Sequence, residues 1–156
     1  MVRIEMENGG VIEIELDHEA APKTAANFEK LAKEGFYDGL IFHRVIAGFM
    51  IQGGDPEGTG MGGSKERLVG EFAANGYKNP ISHKRGVISM ARSQNYNSAS
   101  SQFFIMHEDG TFLDGQYAAF GHVTKGMEVV DEIASVKTDF SDRPRVEQKM
   151  KKVTVE

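Results

Sequence analysis

The sequence predicts a mainly β protein with about eight strands in one antiparallel sheet and two α-helices. Three observations favour this fold class. Segments of alternating or β-branched residues follow one another as hairpins and meanders, with Gly, Asn and Asp between them. Only two segments have helical periodicity, and strands and helices do not alternate as they do around a parallel sheet. An eight-stranded sheet that closes into a barrel has no free edges and an interior just filled by side chains, so a ligand has to bind outside.

Composition sets the bounds on function. The chain has 156 residues, most simply a single domain over residues 1–156, and a formal net charge of −5 that argues against nucleic-acid binding. The absence of cysteine excludes a disulfide framework, a thiolate zinc site and a cysteine nucleophile. No apolar run reaches the length of a membrane span, and the N-terminus lacks the apolar region of a secretory signal. We therefore expect a soluble, cytoplasmic protein with no membrane partner.

The first elements along the chain are a hairpin and a helix. Residues 2–6 and 11–16 alternate between apolar and polar side chains, and an Asn-Gly-Gly turn separates them. A helix is predicted over residues 22–34, with a proline at its start and a glycine just past its end. Within it, Glu29 and Lys33 are spaced to form an i,i+4 ion pair. Its apolar stripe is expected to cover an open end of the sheet or barrel.

The remaining elements follow a less regular pattern. The predicted strands span 41–46, 49–51, 86–91, 102–106, 118–123 and 153–155, and the second helix spans 126–136. The run at 102–106 is mostly apolar, which is typical of a central strand. The glycine-dense stretch at 53–64 lacks the Gly-Lys-Ser/Thr ending of a phosphate loop. It is better interpreted as a loop whose backbone passes close to a ligand or to other backbone.

Arg44 is a charged residue in an apolar strand, and two interpretations of it stay open at this point. It is either the outward-facing residue of a half-buried strand or a fixed cation at the edge of an apolar pocket. The pairs at 49–50 and 112–113 lie beside turns and are either core residues or the walls of such a pocket. With Gln52 as an added amide, a groove of this kind suits a small apolar side chain flanked by peptide backbone.

The sequence contains no motif that supports metal-assisted or covalent catalysis. The five histidines have no metal-ligand spacing, and no Gly-x-Ser-x-Gly motif is present. His43, next to Arg44, is interpreted as a structural hydrogen-bonding residue rather than a base. We therefore expect neither a metal nor a cofactor, and no covalent mechanism.

Motifs along almost the whole chain resemble those of the cyclophilin-type peptidyl-prolyl cis-trans isomerases, and the pattern is similar to the prokaryotic single-domain branch. The resemblance implies a closed eight-stranded antiparallel β-barrel capped by two helices, in agreement with the elements above. No single motif is specific, but together they are. They are Phe42-His43-Arg44, Gly48-Phe49-Met50, Gln52-Gly53-Gly54-Asp55, Ser89-Met90-Ala91, Ser101-Gln102-Phe103-Phe104-Ile105, Leu113-Asp114-Gly115 and Phe120-Gly121.

The resemblance also implies roles for particular residues. Arg44 corresponds to the catalytic arginine, which would stabilise the twisted amide of an X-Pro bond, with Phe49 and Gln52 as catalytic partners. Ala91 and the backbone of Arg92 are expected to hold the main chain of the peptide. The substrate-binding set is Met50, Gly60, Ala91, Arg92, Gln102, Phe104, Phe112, Leu113 and Tyr117, with Gly60 near the neighbouring pocket for the residue before the X-Pro pair.

Several positions depart from the best-known eukaryotic members. Phe112 stands where those have tryptophan, Tyr117 where they have histidine, and Arg92 and Ser93 where they have Asn and Ala. Losing the indole N–H removes a hydrogen-bond donor, so we expect cyclosporin A to bind with reduced affinity while isomerase activity is kept. The expected partners are proline-containing peptides and folding proteins, and the expected state is a monomer. The alternative function is a non-catalytic module that binds proline motifs in the same groove.

Overall fold

The computed structural model describes residues 1–156 and confirms eight strands and two α-helices. Two short 3₁₀ helices, Ala73–Asn75 and Thr111–Leu113, lie in the connecting loops. The strands are β1 Val2–Met6, β2 Val11–Leu16, β3 Phe42–Ile46, β4 Met50–Gly53, β5 Val87–Met90, β6 Phe103–Met106, β7 Ala119–Lys125 and β8 Met150–Val155. The α-helices are α1 Pro22–Lys33 and α2 Met127–Ala134.

All strands pair antiparallel in one sheet with the order β3-β4-β6-β5-β7-β2-β1-β8. The two end strands meet just outside their regular segments, where Ile41 and Lys149 form an isolated bridge. Phe42 donates its N–H to the carbonyl of Gln148 at 2.9 Å, and Met150 donates to that of Leu40 at 2.8 Å. The sheet therefore curls until its edges are joined by a short ladder.

The largest difference from the predicted boundaries is in the last strand, which begins at Met150 instead of residue 153. Lys151 and Lys152 are both exposed, so the sequence does not alternate there. The cause is a β-bulge in the pairing of β1 with β8, between Glu5 and Met6, which breaks the two-residue period.

The interior is filled by side chains, and the first helix covers part of it. A cluster of 27 buried apolar residues occupies the inside of the sheet and the faces of the helices against it. On α1, Phe28 stacks on Tyr37 with ring centroids 4.8 Å apart and meets Phe103 edge-on at 5.3 Å. The predicted Glu29–Lys33 ion pair is wrong, because the Glu29 carboxylate instead binds Nε2 of His18 at 2.7 Å.

A second, smaller apolar cluster lies on the outside of the sheet. It contains the buried side chains Met50, Val87, Phe104, Met106 and Ala119. Strand β6 is therefore buried on both faces, between β4 and β5, which confirms the prediction of a central strand. Loop residues, among them Ile81 and Leu113, pack over this outer cluster and leave part of it open. No helix has the length and apolarity needed to cross a membrane.

Candidate active site

Three neighbouring strands bring the central residues together. Arg44 on β3 lies opposite Gln52 on β4, and Gln52 lies opposite Phe104 on β6. A β-bulge between Phe42 and Arg44 breaks the alternation of β3, so that Phe42 and Val45 both join the interior cluster. Bulges commonly re-aim a side chain in this way. Here the bulge leaves Arg44 exposed on the outer face, at the edge of the outer apolar cluster.

Against that cluster lies an open pocket of about 130 Å³, which we call the apolar pocket. Its lining residues are Arg44, Phe49, Met50, Gln52, Ala91, Arg92, Phe104, Leu113 and Tyr117. The buried Met50 and Phe104 belong to the sheet, and Tyr117 meets the Phe104 ring edge-on at 5.8 Å. The pocket thus has a mainly apolar lining, room for a small ring, and two permanent cations, Arg44 and Arg92, among its lining residues.

A chain of polar side chains runs away from Arg44. Its Nη1 donates to Oε1 of Gln52 at 3.3 Å, and Nε2 of Gln52 donates to Oε1 of Gln102 at 2.9 Å. Nε2 of Gln102 then donates to the carbonyls of Gly60 at 3.0 Å and Gly62 at 2.8 Å. Gln52 therefore orients the Arg44 guanidinium from one side. The other N–H groups of that guanidinium have no partner within the protein.

The same chain leads into a second, larger space of about 370 Å³, the polar cavity. Its lining residues are Gln52, Glu57, Gly60, Met61, Gly62, Gly63, Ser64, Arg67, Ala91, Arg92, Ser93, Ser98, Ser100 and Gln102. Gln52, Ala91 and Arg92 line both spaces, so the two adjoin along a common wall. Gly60, predicted to lie near a neighbouring pocket, lies in the polar cavity.

The loop that forms one side of the polar cavity is held by a buried carboxylate. Asp55 is 1% exposed and accepts N–H bonds from Glu57 at 2.8 Å, Thr59 at 3.0 Å and Gly60 at 2.6 Å. Burial on its own would raise the pKa of Asp55, but the backbone N–H donors outweigh it and hold that pKa below its ordinary value. Gly60 has φ of +93°, a conformation that favours glycine.

The predicted substrate-binding residues divide between the two spaces, with one exception. Gln102 lines the polar cavity and not the apolar pocket. Phe112 lines neither: its side chain is 73% exposed and lies against Phe49, with ring centroids 5.6 Å apart. Its predicted binding role stays a prediction, and its observed contact is with Phe49, one wall of the apolar pocket.

One interpretation of a polar residue near the site is wrong, and another stays a prediction. That the backbone of Arg92 holds the peptide main chain stays a prediction, while its guanidinium donates to the carbonyls of Gln116 and Ser93. His43 is not a hydrogen-bonding residue: neither ring nitrogen has a partner within the protein. It is the extra residue of the β3 bulge and lies beneath Gly60, and burial lowers its pKa.

A polar group that the sequence did not predict lies behind Phe104, the floor of the apolar pocket. The fully buried His83 stacks on Phe104, binds Asp114 through Nδ1 at 2.9 Å and binds Oγ of Ser89 through Nε2 at 2.9 Å. Burial lowers the pKa of His83, and Asp114 opposes that effect only in part. Asp114 directly follows the lining residue Leu113, so the group ties one wall to the floor. His83 lies in a segment without periodicity, and only the turn at Asp114 left a signal in the sequence.

A curled antiparallel sheet with a mainly apolar surface pocket, arginines in its lining and nearby amide groups defines a β-barrel protein whose candidate ligand site lies on the outer surface. The profile of the family described as "Cyclophilin type peptidyl-prolyl cis-trans isomerase/CLD" matches residues 1–155. The chain belongs to this family of cyclophilin-type isomerases, as its motifs predicted.

Individual relatives agree with this assignment. Peptidyl-prolyl cis-trans isomerase B of Bacillus subtilis is 49% identical over 130 residues, covering 83% of this chain and 87% of that protein. Peptidyl-prolyl cis-trans isomerase ppi1 of Schizosaccharomyces pombe is 46% identical over 146 residues, covering 92% of each. The crystal structure of a cyclophilin-type isomerase of Cryptosporidium parvum, determined in the presence of the dipeptide Ala-Pro, superimposes with a TM-score of 0.91 at 34% identity. That alignment covers 99% of this chain and 98% of the other.

Proposed function

We propose that residues 1–156 act as one peptidyl-prolyl cis-trans isomerase domain in which the apolar pocket holds the proline ring and Arg44 stabilises the twisted amide. The observation that carries this proposal is the position of Arg44. Its guanidinium lies at the edge of the apolar pocket, fixed on one side by Gln52, with its remaining N–H groups free. The crystal structure of the Cryptosporidium relative was determined in the presence of the dipeptide Ala-Pro, which supports a proline-containing ligand.

The chemistry needs no nucleophile. Rotation about an X-Pro bond breaks amide resonance and has a barrier of roughly 18–20 kcal/mol. At the twisted geometry the proline nitrogen becomes pyramidal and regains a lone pair, which a planar amide does not offer. A donor directed at that lone pair binds the transition state and not the ground state, and this difference lowers the barrier. Arg44 suits the role because its guanidinium stays protonated and its planar fork can hold a nearby carbonyl as well.

One hydrogen bond accounts for only part of the catalysis. A charge-assisted bond contributes about 1.5–3 kcal/mol, and about 1.36 kcal/mol corresponds to a tenfold change in rate. Arg44 would therefore supply roughly one to two orders of magnitude. The remainder is assigned to the apolar pocket, in which Phe49, Met50 and Phe104 hold the ring still while the preceding residue rotates.

The same proposal includes the substrates, the oligomeric state, the cellular location and the binding of cyclosporin A. The substrates would be proline-containing peptides and folding proteins, bound by a cytoplasmic monomer that assists folding. Cyclosporin A would bind with reduced affinity, because Phe112 offers no indole N–H and lies outside both spaces.

The test replaces Arg44 and measures cis-trans exchange of an X-Pro peptide by NMR. Arg44→Ala should lower kcat/KM by about 10- to 100-fold, and Arg44→Lys should recover little because an ammonium lacks the fork. Arg3→Ala is the matched control, since Arg3 is an exposed arginine on β1, away from both spaces. Near-wild-type rates in both Arg44 variants would remove the assigned role. Peptide binding without any acceleration by the wild-type protein would support the proline-motif binding module instead.

A further inference from the structure

We propose that Arg92 is a positioning residue that joins the apolar pocket to the polar cavity by fastening Tyr117 to the loop at residues 93–96; this inference rests on the proposed function. Arg92 belongs to the wall that both spaces share. It follows β5, whereas Tyr117 precedes β7. Neither segment has regular structure at these positions, so pairing within the sheet does not fix one against the other.

The guanidinium of Arg92 is held by carbonyl groups on both sides. Nε and Nη2 donate to the carbonyl of Gln116, at 3.1 Å and 2.7 Å, as a fork. Nη1 donates to the carbonyls of Ser93 at 2.9 Å and Gln94 at 3.4 Å. One planar group therefore connects the backbone next to Tyr117 with the backbone of the loop that borders the polar cavity. Because its donors are already engaged, it has little capacity left to bind substrate directly.

Three aromatic rings surround the same guanidinium. Its central carbon lies 4.6 Å from the ring centroid of Tyr117, 5.0 Å from that of Tyr96 and 5.1 Å from that of Phe72. Each distance is within the range of a cation–π contact, and partial burial strengthens such contacts. Phe72 and Tyr96 also meet edge-on at 5.1 Å. The cation thus fixes rings from three separate parts of the chain.

Tyr117 is the residue through which Arg92 would influence the proposed reaction. It lines the apolar pocket and meets Phe104 edge-on, so its position shapes the space for the proline ring. Arg92 also borders the polar cavity, where a longer peptide would extend. Loss of Arg92 should therefore weaken peptide binding through Tyr117 and reduce the advantage of a peptide long enough to reach the cavity. A lysine cannot replace it, because an ammonium forms neither the fork nor a planar stack.

The test is a double-mutant cycle on kcat/KM with Arg92→Ala, Tyr117→Ala and the double variant, assayed with a short Ala-Pro peptide and with one extended at its N-terminus. Arg92→Ala should lower kcat/KM about fivefold, mainly through KM, and by less than about twofold when Tyr117 is already alanine. The extended peptide should lose more than the short one. Arg92→Lys should behave like Arg92→Ala, and Arg3→Ala should behave like the wild type.

Additive effects of the two substitutions, or an equal loss of kcat for both peptides with KM unchanged, would overturn the inference, since general destabilisation produces those results. Failure of the proposed function is distinguishable. If the wild-type protein does not accelerate exchange, the same cycle is measured on the dissociation constants of the two peptides by NMR titration. Non-additivity there would keep the positioning role of Arg92 in binding alone, and additivity would end it.

Discussion

The apolar pocket and the polar cavity adjoin on one face of the molecule but are built in different ways. The deepest parts of the apolar pocket, Met50 and Phe104, are strand residues buried in the outer cluster. The polar cavity is lined mainly by loop residues, and its shape depends on side chains that hold backbone groups: Asp55 under the glycine loop, Gln102 across it and Arg92 at the shared wall. The pocket floor is thus part of the fold, whereas the cavity depends on a few polar contacts.

This difference predicts different consequences of substitution. A change in the pocket floor removes packing that also stabilises the sheet, so it should affect stability and activity together. A change at the cavity should alter a loop and its binding properties while the sheet remains intact. Substitutions of graded severity can test this contrast.

The largest effect is expected for Phe104→Ala. The side chain is 5% exposed and lies between His83 and Tyr117, so truncation leaves a cavity and opens the pocket floor. The free energy of unfolding should fall by about 3–5 kcal/mol, as for other buried Phe→Ala changes. Urea denaturation measures this loss, and isomerisation measured well below the unfolding transition should fall as well.

Met61→Ala is the matched comparison on the cavity side. Met61 lines the polar cavity, but its side chain is 88% exposed, so its removal should change the free energy of unfolding by less than about 0.5 kcal/mol. Equal destabilisation by the two substitutions would contradict the distinction between a floor built into the sheet and a cavity built on loops.

The same contrast explains what the sequence revealed. Strand β6 is apolar on both faces, so residues 102–106 were recognisable as a central strand, and Phe104 with it. Arg44 was visible as a charge inside an apolar strand. Both signals are local in composition and need no knowledge of distant parts of the chain, whereas the bulge that leaves Arg44 on the outer face left no such signal. The family motifs predicted roles for these residues but not their geometry.

The polar contacts around the site could not be predicted from local sequence patterns. The environment of Arg92 is formed by Phe72, Tyr96 and Tyr117, which are distant in sequence and lie outside the regular strands and helices. His83 lies in a segment without periodicity, and its partners Asp114 and Ser89 come from a turn and a strand. No local spacing predicts contacts of this kind, because each depends on how loops fold over a completed sheet.

An intermediate effect is expected for Asp55→Asn. An amide keeps an acceptor but loses the charge that three backbone N–H groups bind, so the free energy of unfolding should fall by about 1–2 kcal/mol at pH 7. Because the pKa of Asp55 is lowered by folding, its stabilisation is complete above the ordinary value of 3.8 and is lost as the pH falls through the folded value.

The difference in unfolding free energy between the wild type and Asp55→Asn should therefore shrink as the pH is lowered below about 4. Urea denaturation at pH 7 and near pH 3 measures it. Glu7→Gln, at an exposed position in the first turn, serves as the control and should show no such trend. A difference that stays constant with pH would mean that the charge of Asp55 does not hold the loop.

A smaller effect than that of Asp55→Asn is expected at His107, which holds the turn before Phe49, a wall of the apolar pocket. Its Nδ1 accepts the N–H of Gly48 at 2.9 Å, and its own backbone N–H donates to the carbonyl of Phe49 at 2.9 Å. Its Nε2 lies 3.2 Å from Asp131 of α2, which Arg85 also holds through two bonds of 2.7 and 2.8 Å. An imidazole that accepts a hydrogen bond at Nδ1 and is neutral carries its N–H at Nε2, and this N–H can donate a hydrogen bond to Asp131.

His107→Leu should therefore release the turn that precedes Phe49, with a loss of about 1 kcal/mol in unfolding free energy, typical of one neutral hydrogen bond, and a roughly twofold rise in KM. His107→Asn separates the two bonds, because its amide oxygen can replace Nδ1 as the acceptor for Gly48 while the link to α2 is lost. Recovery of KM in the asparagine variant would assign the effect to the turn. If leucine and asparagine raise KM equally, α2 and not the Gly48 bond controls this wall, and the apolar pocket then depends on a contact outside the sheet.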